Sequence, residues 1–328
     1  MTGWKTVNLP ERECIYQGDP WRLDYYAPMS GVPAQSTPVI LCFALINRPW
    51  ILDFSVDRSL IKTLQRAGFC VYLIDWGYPQ DQHAQLGLTD YIQDFLNLAV
   101  DQVCSQQNTS SVSLIGICQG GVLSLCYAAL YPQKIKKLVL WVTPIDFHTE
   151  DNVLAKTARY LHPEKFLQLK HVIPGSYINQ GLLYLKPDRL LGQPWITWMV
   201  EGVATERWQE AQKMEQWIFD TPNHPAKAFA EWIDIFYQKN SLMRQTFVLD
   251  KTPIHLEKLT APVLGIYATE DHLVPLSSQQ ALESLLPAVQ YQGIYFQGGH
   301  IGSLVSKKAG KEIYPRLLDY LKINTSLL

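Results

Sequence analysis

The chain has 328 residues, of which 47% are hydrophobic and 18% charged, and its formal net charge is -2 at pH 7. This composition is typical of a globular protein with a large core, and it excludes an intrinsically disordered chain. Nucleic-acid binding needs clustered Lys and Arg, which the charge balance does not favour. Residues 1–16 lack the apolar region of a signal peptide, and no apolar run reaches the ~18 residues of a membrane span. We therefore expect a cytoplasmic protein without a membrane span.

The six cysteines are scattered along the chain without CxxC spacing. In a cytoplasmic protein this pattern predicts reduced thiols, and it favours neither a disulfide framework nor a zinc site. We expect no metal and no cofactor.

Short apolar runs alternate with helical patterns along the first 142 residues. Strands are predicted at 39–43, 71–74, 112–115 and 138–142, with helices at 59–67, 91–104 and 122–130. A Trp-rich and mostly helical region follows, and the alternation resumes with a strand at 263–267, a helix at 278–286 and a strand at 292–296. Continuous apolar strands separated by helices predict a mostly parallel sheet that is covered on both faces. We predict one doubly wound α/β domain, residues 1–328, with a helical cap inserted at 148–258.

The segment Gly116-Ile117-Cys118-Gln119-Gly120-Gly121 lies between a predicted strand and a predicted helix. It matches the G-x-S-x-G nucleophile elbow of the α/β-hydrolase fold, with Cys in place of Ser. Such an elbow is a strained turn, and Gly116 and Gly120 would supply the space that it needs. The N-terminus of the following helix would favour a thiolate and a developing oxyanion. A buried structural Cys is the alternative, but the strand and helix on the correct sides favour Cys118 as nucleophile.

An acid and a base follow in the order that this fold uses, nucleophile then acid then base. Asp271 follows one predicted strand and His300 follows the next, at the ends where open α/β sheets build their sites. His300 would deprotonate Cys118, and Asp271 would orient His300. Glycines on both sides of His300 suggest a close approach of the backbone. His272, next to the acid, is interpreted as a group that supports it.

The loop after the first predicted strand is expected to supply one oxyanion N–H, and Gln119 the other. We assign the loop donor to Ile46, with Leu45 or Asn47 as alternatives.

Several segments resemble the polyhydroxyalkanoate synthases, and together they extend over residues 39–306. They are INRP at 46–49 with ILD at 51–53, VYLIDWGYP at 71–79, GICQGG at 116–121, TPIDF at 143–147, EQWIFD at 215–220, DHLVP at 271–275 and GGHIG at 298–302. The family polymerises (R)-3-hydroxyacyl-CoA on a cysteine and releases CoA. The resemblance therefore implies an acyltransferase with Cys118, Asp271 and His300 as its triad and a growing polyester chain as product, with 3-hydroxybutyryl-CoA the expected substrate.

The GICQGG elbow and the short chain resemble the two-subunit, class III-like synthases, which prefer short side chains. This implies a second synthase subunit (PhaE-type), a homodimer or larger assembly, and a place at the surface of polyhydroxyalkanoate granules in the cytoplasm. The N-terminal domain of single-subunit members is expected to be absent, with the chain starting near its first strand.

Three questions stay open in the sequence. Either Asp271 or His300 could activate the hydroxyl that attacks the acyl-enzyme. A Cys-dependent hydrolase, such as an esterase, thioesterase or polyester depolymerase, is the alternative enzyme, and it would release free hydroxy acid. A non-catalytic granule protein is a further alternative, against which the intact Cys, Asp and His argue.

Overall fold

The computed structural model describes residues 12–183, 206–286 and 291–323. Its strands are β1 (Glu13–Gln17), β2 (Arg22–Tyr26), β3 (Val39–Cys42), β4 (Asp53–Ser55), β5 (Arg58–Ser59), β6 (Val71–Asp75), β7 (Val112–Ile117), β8 (Ile135–Trp141), β9 (Val248–Leu249), β10 (Thr252–Pro253), β11 (Val263–Ala268) and β12 (Tyr291–Phe296). Eight of them form one central sheet in the order β1-β2-β6-β3-β7-β8-β11-β12. The remaining four form two short antiparallel ribbons.

The six strands from β6 to β12 in the sheet order pair in parallel, as the apolar runs predict. Residues of β3, β6, β7 and β11 are all buried, because helices cover both faces of the sheet. The α/β fold class predicted from the sequence is confirmed.

The outer strands β1 and β2 are antiparallel and were not predicted. All five residues of β1 are exposed or half-buried, and its apolar run is only three residues long, Cys14–Tyr16, which is too short to predict a strand. The expectation that the chain starts near its first strand, at 39–43, is wrong, because two strands of the same sheet precede β3.

The four helices predicted at 59–67, 91–104, 122–130 and 278–286 lie close to observed helical segments, and the other helices had no predicted bounds. The helices of the described residues are α1 (Leu60–Arg66), α2 (Asn97–Gln107), α3 (Gln119–Leu130), α4 (Val153–Ala158), α5 (Pro163–Phe166), α6 (Gly175–Leu183), α7 (Glu206–Phe219), α8 (Ala226–Glu231), α9 (Leu276–Gln280), α10 (Leu282–Leu285), α11 (Gly302–Val305), α12 (Lys307–Glu312) and α13 (Tyr314–Lys322). A π-helical segment, Asp90–Leu96, leads directly into α2, and the predicted helix 278–286 is divided between α9 and α10.

The two faces of the sheet carry separate hydrophobic clusters. One contains Leu64 of α1 and Leu317 of α13, and the other contains Leu123 of α3. Trp232 and Phe247, from the region between β8 and β11, belong to the cluster of Leu123. Part of that region therefore packs directly on the body of the molecule.

The region between β8 and β11 contains the predicted cap, residues 148–258. Its described part is mostly helical, from α4 to α8, and also carries the ribbon of β9 and β10. Of its Trp residues, Trp217 and Trp232 are buried, whereas Trp195 and Trp198 lie outside the described residues. The cap boundaries remain a prediction.

No helix formed by the described residues is long and apolar enough to cross a membrane.

Candidate active site

The turn at Cys118 has the strained geometry of a nucleophile elbow. Cys118 has φ 54° and ψ -121°, a conformation that only surrounding contacts can hold. Its N–H donates to the carbonyl of Trp141 at 2.9 Å, and its own carbonyl accepts from Gly121 N at 2.9 Å. These two bonds fix Cys118 between the end of β7 and the start of α3.

The glycines of the elbow are required by crowding. A Cβ on Gly116 would lie 2.6 Å from Gly121 Cα, and a Cβ on Gly120 would overlap the backbone carbonyls of Cys42 and Phe43. Neighbouring backbone cannot move aside as a flexible side chain can. The predicted role of these glycines in making space is confirmed.

Cys118 differs from the other cysteines in its surroundings. None of the six forms a disulfide, and Cys118 is the one that lines the cavity shared with His300. Cys42 and Cys126 are buried in the core, and burial raises the pKa of the Cys42 thiol to about 12. The pKa of Cys126 is raised for the same reason. Thiols held neutral in this way are inert, so Cys118 is the candidate nucleophile.

The predicted acid and base meet at the elbow. His300 Nδ1 lies 2.6 Å from Asp271 Oδ2, and the Asp271 side chain is fully buried. Burial lowers the pKa of His300, but the carboxylate of Asp271 and the sulfur of Cys118 outweigh it, so the pKa lies well above 6.5. With Nδ1 engaged by Asp271, Nε2 is the ring nitrogen left to bond Cys118. The structure thus brings Cys118, His300 and Asp271 together, and their catalytic roles stay a prediction.

Asp271 is held in place by several donors. Its Oδ1 accepts from the backbone of Leu273 at 2.9 Å and of Val274 at 3.0 Å, while Gln279 Nε2 lies 3.4 Å from Oδ2. Gln279 is itself fixed, since its Nε2 donates to the Val274 carbonyl at 2.7 Å. Sequence reasoning missed Gln279, because a single Gln in a predicted helix carries no signal.

The backbone of His300 is anchored from the opposite side. Ser303 Oγ donates to the His300 carbonyl at 2.7 Å and accepts from Trp141 Nε1 at 3.1 Å. Trp141 is the last residue of β8, and its carbonyl also accepts the N–H of Cys118. The base and the nucleophile are therefore both tied to Trp141. Ser303 and Trp141 were also missed, since they lie 162 positions apart in the chain.

One interpretation of the loops around the pair needs correction. A Cβ on Gly299 would make only an ordinary contact, one on Gly302 would meet open space, and one on Gly298 would meet the ring of Phe296. The glycines beside His300 therefore do not mark a close approach of another backbone segment. His272 is exposed and does not line the cavity, and its role beside Asp271 stays a prediction.

The two residues predicted to form the oxyanion hole, Gln119 and Ile46, line the same cavity as Cys118. Gln119 opens α3, and its side-chain oxygen accepts from Leu45 N at 3.2 Å. The Leu45 amide is therefore engaged, which disfavours it as the loop donor. Ile46 and Asn47 line the cavity, and no described residue accepts a hydrogen bond from the Ile46 amide. Ile46 stays our prediction for the second donor, with the Asn47 amide as the alternative.

Cys118 and His300 open into a largely apolar cavity of about 440 Å³. Side chains of the cap form one wall, and the segment after His300 forms another. The apolar wall residues are Leu154, Met214, Trp217, Ile218, Trp232 and Tyr237 from the cap, and Ile301, Leu304 and Val305 from the body. An acyl chain would fit such a lining, and water would be poorly held.

Known structures share this architecture. An esterase from Thermogutta terrifontis has a TM-score of 0.56 and 14% identity, covering 95% of this chain and 98% of the esterase. An epoxide hydrolase from Bacillus megaterium also has a TM-score of 0.56, with 16% identity over 92% of this chain and 98% of the hydrolase. At such low identity the likeness shows the fold alone.

Sequence comparisons are more specific. The family model for the alpha/beta hydrolase fold matches residues 37–306. A poly(3-hydroxyalkanoate) polymerase subunit PhaC from Thiocystis violacea is 39% identical over 315 residues, covering 96% of this chain and 89% of the relative. A protein of the same name from Synechocystis sp. is 35% identical, covering 96% of this chain and 85% of the relative. With the elbow, the acid and the base in place, the chain belongs to the poly(3-hydroxyalkanoate) polymerase subunit PhaC family of the α/β-hydrolase fold.

Proposed function

We propose that the chain is a polymerase that joins (R)-3-hydroxyacyl units from CoA thioesters into polyester through a covalent acyl-Cys118 intermediate. The observation that carries this proposal is the placement of Cys118, on its strained elbow, against the His300–Asp271 pair at an apolar cavity. The relatives that share 35–39% of their residues with the chain bear the name of the polymerase.

In the first half-reaction, His300 holds the proton of Cys118, and the sulfur attacks the thioester carbonyl. The N–H groups of Gln119 and Ile46 would stabilise the oxyanion. The bond to CoA sulfur then breaks, and the proton on His300 goes to the departing CoA thiolate. One thioester is exchanged for another, so this step is nearly balanced in free energy and the acyl-Cys keeps its reactivity.

In the second half-reaction, the 3-hydroxyl of a hydroxyacyl unit attacks the acyl-Cys118 carbonyl. Its proton goes to His300, an ester bond forms, and the Cys118 thiolate leaves and is protonated again. Both oxygens of Asp271 are engaged within the protein, and Asp271 does not line the cavity. This favours His300, and not Asp271, as the base for the attacking hydroxyl.

A polymerase must favour a hydroxyl over water at the acyl-enzyme. The apolar lining from the cap and from the segment after His300 supports this preference, because bulk water has few partners there. In a hydrolase the same acyl-enzyme would give free hydroxy acid. The product that accompanies CoA release therefore separates the two activities.

The test is to incubate the chain with (R)-3-hydroxybutyryl-CoA and follow CoA release and polymer together. We expect Cys118→Ala to abolish both and Cys118→Ser to be nearly as damaging, since a hydroxyl ionises far less readily. Cys14→Ser is the matched control, because Cys14 is exposed on β1 and lies outside the cavity. Continued CoA release by Cys118→Ala would refute the acyl-Cys intermediate, and free hydroxy acid without polymer would indicate a hydrolase.

We also propose that the chain works with a second synthase subunit, as a homodimer or larger assembly, at the granule surface. The relatives are named as subunits, which supports a partner. Large apolar side chains are exposed on the cap, and such surface often marks an interface: Val153, Tyr160, Leu167, Tyr177, Phe219 and Val248. The buried Trp217 and Trp232 do not contribute to this argument.

Sedimentation of the chain alone, with the second subunit and with a substrate analogue tests the assembly. We expect larger species when partner and analogue are present. A chain that stays monomeric in every mixture while fully active would rule out the assembly, and the Cys118 chemistry would be unaffected.

A further inference from the structure

The loop that carries Ile46 is fastened to the cap by one side chain. Asn47 follows Ile46 directly, and its side-chain nitrogen lies 3.2 Å from the carbonyl of Trp217 and 3.1 Å from that of Ile218. It also lies 2.9 Å from Thr221 Oγ1. These acceptors are at the C-terminal end of α7, where the last carbonyls of a helix lack partners within the helix. Asn47, which belongs to the body of the molecule, thus satisfies the C-terminal carbonyls of α7, a helix of the inserted cap.

A second set of bonds connects the same two segments. Trp217 Nε1 donates to the Arg48 carbonyl at 2.7 Å, and Trp50 Nε1 donates to Asp220 at 2.9 Å. The segment Asn47–Trp50 therefore bonds to four residues at the end of α7, which are Trp217, Ile218, Asp220 and Thr221.

The segment is also fixed to the sheet. The guanidinium of Arg48 donates to Asp75 at 2.6 Å and to the carbonyl of Gly77 at 2.5 Å, just past β6. It lies 4.1 Å from the ring centre of Tyr78. The Arg48 side is thus anchored to the body, and the Asn47 side is anchored to the cap.

The backbone at Asn47 makes this arrangement specific. Its φ of 62° lies in the left-handed region, which Asn and Gly tolerate and most residues do not. This conformation turns the chain between Ile46, whose amide has no acceptor among the described residues, and Arg48. Ile46 and Asn47 share a peptide bond, so the position of the Ile46 backbone depends on where Asn47 is held.

We propose that Asn47 is a positioning residue for acyl transfer, whose amide bonds to the end of α7 hold the Ile46 N–H in place for the oxyanion. The inference rests on the acyl-Cys118 chemistry proposed above.

The variant Asn47→Asp tests this, since it keeps the shape and the left-handed backbone but replaces the donor with an oxygen that repels two carbonyls. Two rates are compared in the full chain. CoA release from (R)-3-hydroxybutyryl-CoA in a single turnover needs the oxyanion donor, whereas alkylation of Cys118 by iodoacetamide forms no oxyanion. We expect the acylation rate to fall at least about 10-fold, as for a displaced catalytic donor, with the alkylation rate within about 2-fold of wild type. The loss should appear in kcat more than in KM.

The matched control is Asn108→Asp. Asn108 also has a left-handed φ, 49°, and follows a helix, but it is exposed and lies outside the cavity. Both of its rates should equal those of wild type. If Asn47→Asp folds poorly, Asn47→Gly takes its place in the test. It keeps the backbone conformation and removes the side chain, and we expect the same fall in the acylation rate with little change in the alkylation rate.

Unchanged acylation in both Asn47 variants would overturn the inference. An equal fall in acylation and alkylation would also overturn it, since that indicates lost access or lost thiol activation. The proposed function is judged separately, because it fails if Cys118→Ala still releases CoA or if the wild type gives free hydroxy acid without polymer.

Discussion

The role of Asp271 is tested most sharply by Asp271→Asn, which changes one atom of the site. In the wild type, two backbone N–H groups point at Oδ1, from 2.9 and 3.0 Å, while Oδ2 faces His300 Nδ1 at 2.6 Å. The amide oxygen of the variant should stay at the Oδ1 position, because the reverse orientation would set its NH₂ against both donors. The NH₂ then faces His300.

The consequence is a change of tautomer. Nδ1 of His300 must accept from the new NH₂, so the ring proton moves to Nε2, the nitrogen that would take the proton of Cys118. A base in the wrong tautomer costs about 10⁴-fold in a serine protease triad, equivalent to about 5.5 kcal/mol. A thiol depends less on its base than a hydroxyl does, so we expect acylation to fall by about 10² to 10⁴-fold.

The assay is CoA release in a single turnover, followed by elongation of the trapped acyl-enzyme. Because His300 is proposed to serve both half-reactions, both should slow. Asp24→Asn is the control: Asp24 is equally buried and paired with Arg12 and Arg22 but lies outside the cavity. It should lower stability and leave acylation of the folded enzyme unchanged. If Asp271→Asn acylates normally and stalls only in elongation, Asp271 acts on the attacking hydroxyl and our reasoning is wrong.

Two further predictions concern stability. Burial lowers the pKa of His300 but Asp271 and Cys118 raise it well above 6.5, so the imidazolium stabilises the fold fully below that pH and less as the pH rises. We measure the free energy of unfolding of the wild type and of His300→Gln by urea denaturation. The difference between them should become smaller from about pH 6 to about pH 9, and a difference that grows would contradict the raised pKa. Gly120→Ala, whose Cβ would overlap backbone carbonyls, should cost about 3 kcal/mol or more. Gly181→Ala, with open space around its Cβ in α6, should gain about 0.5 to 1 kcal/mol, and similar effects of the two would refute the crowding at the elbow.

The sequence by itself determined the parts of this protein that depend on neighbours in the chain. Apolar runs identified the buried strands, because a strand covered on both faces has no polar side to display. The glycines at 116 and 120 identified the elbow, because a tight turn imposes its needs on adjacent residues. The order of Cys118, Asp271 and His300 followed from placing each one after a predicted strand.

Other features were decided only by the tertiary structure. The residues of β1 are exposed or half-buried, and those of β2 alternate between buried and half-buried, so the pairing of both strands depends on the edge of a sheet assembled elsewhere. The engagement of the Leu45 amide became visible only once Gln119, 74 positions away, lay beside it. The bond from Asn47 to Trp217 spans 170 positions, and Asn47 has the same local pattern whether or not α7 is near. Local patterns report turns and periodicity, whereas partners distant in the chain are chosen by the packing of the whole fold.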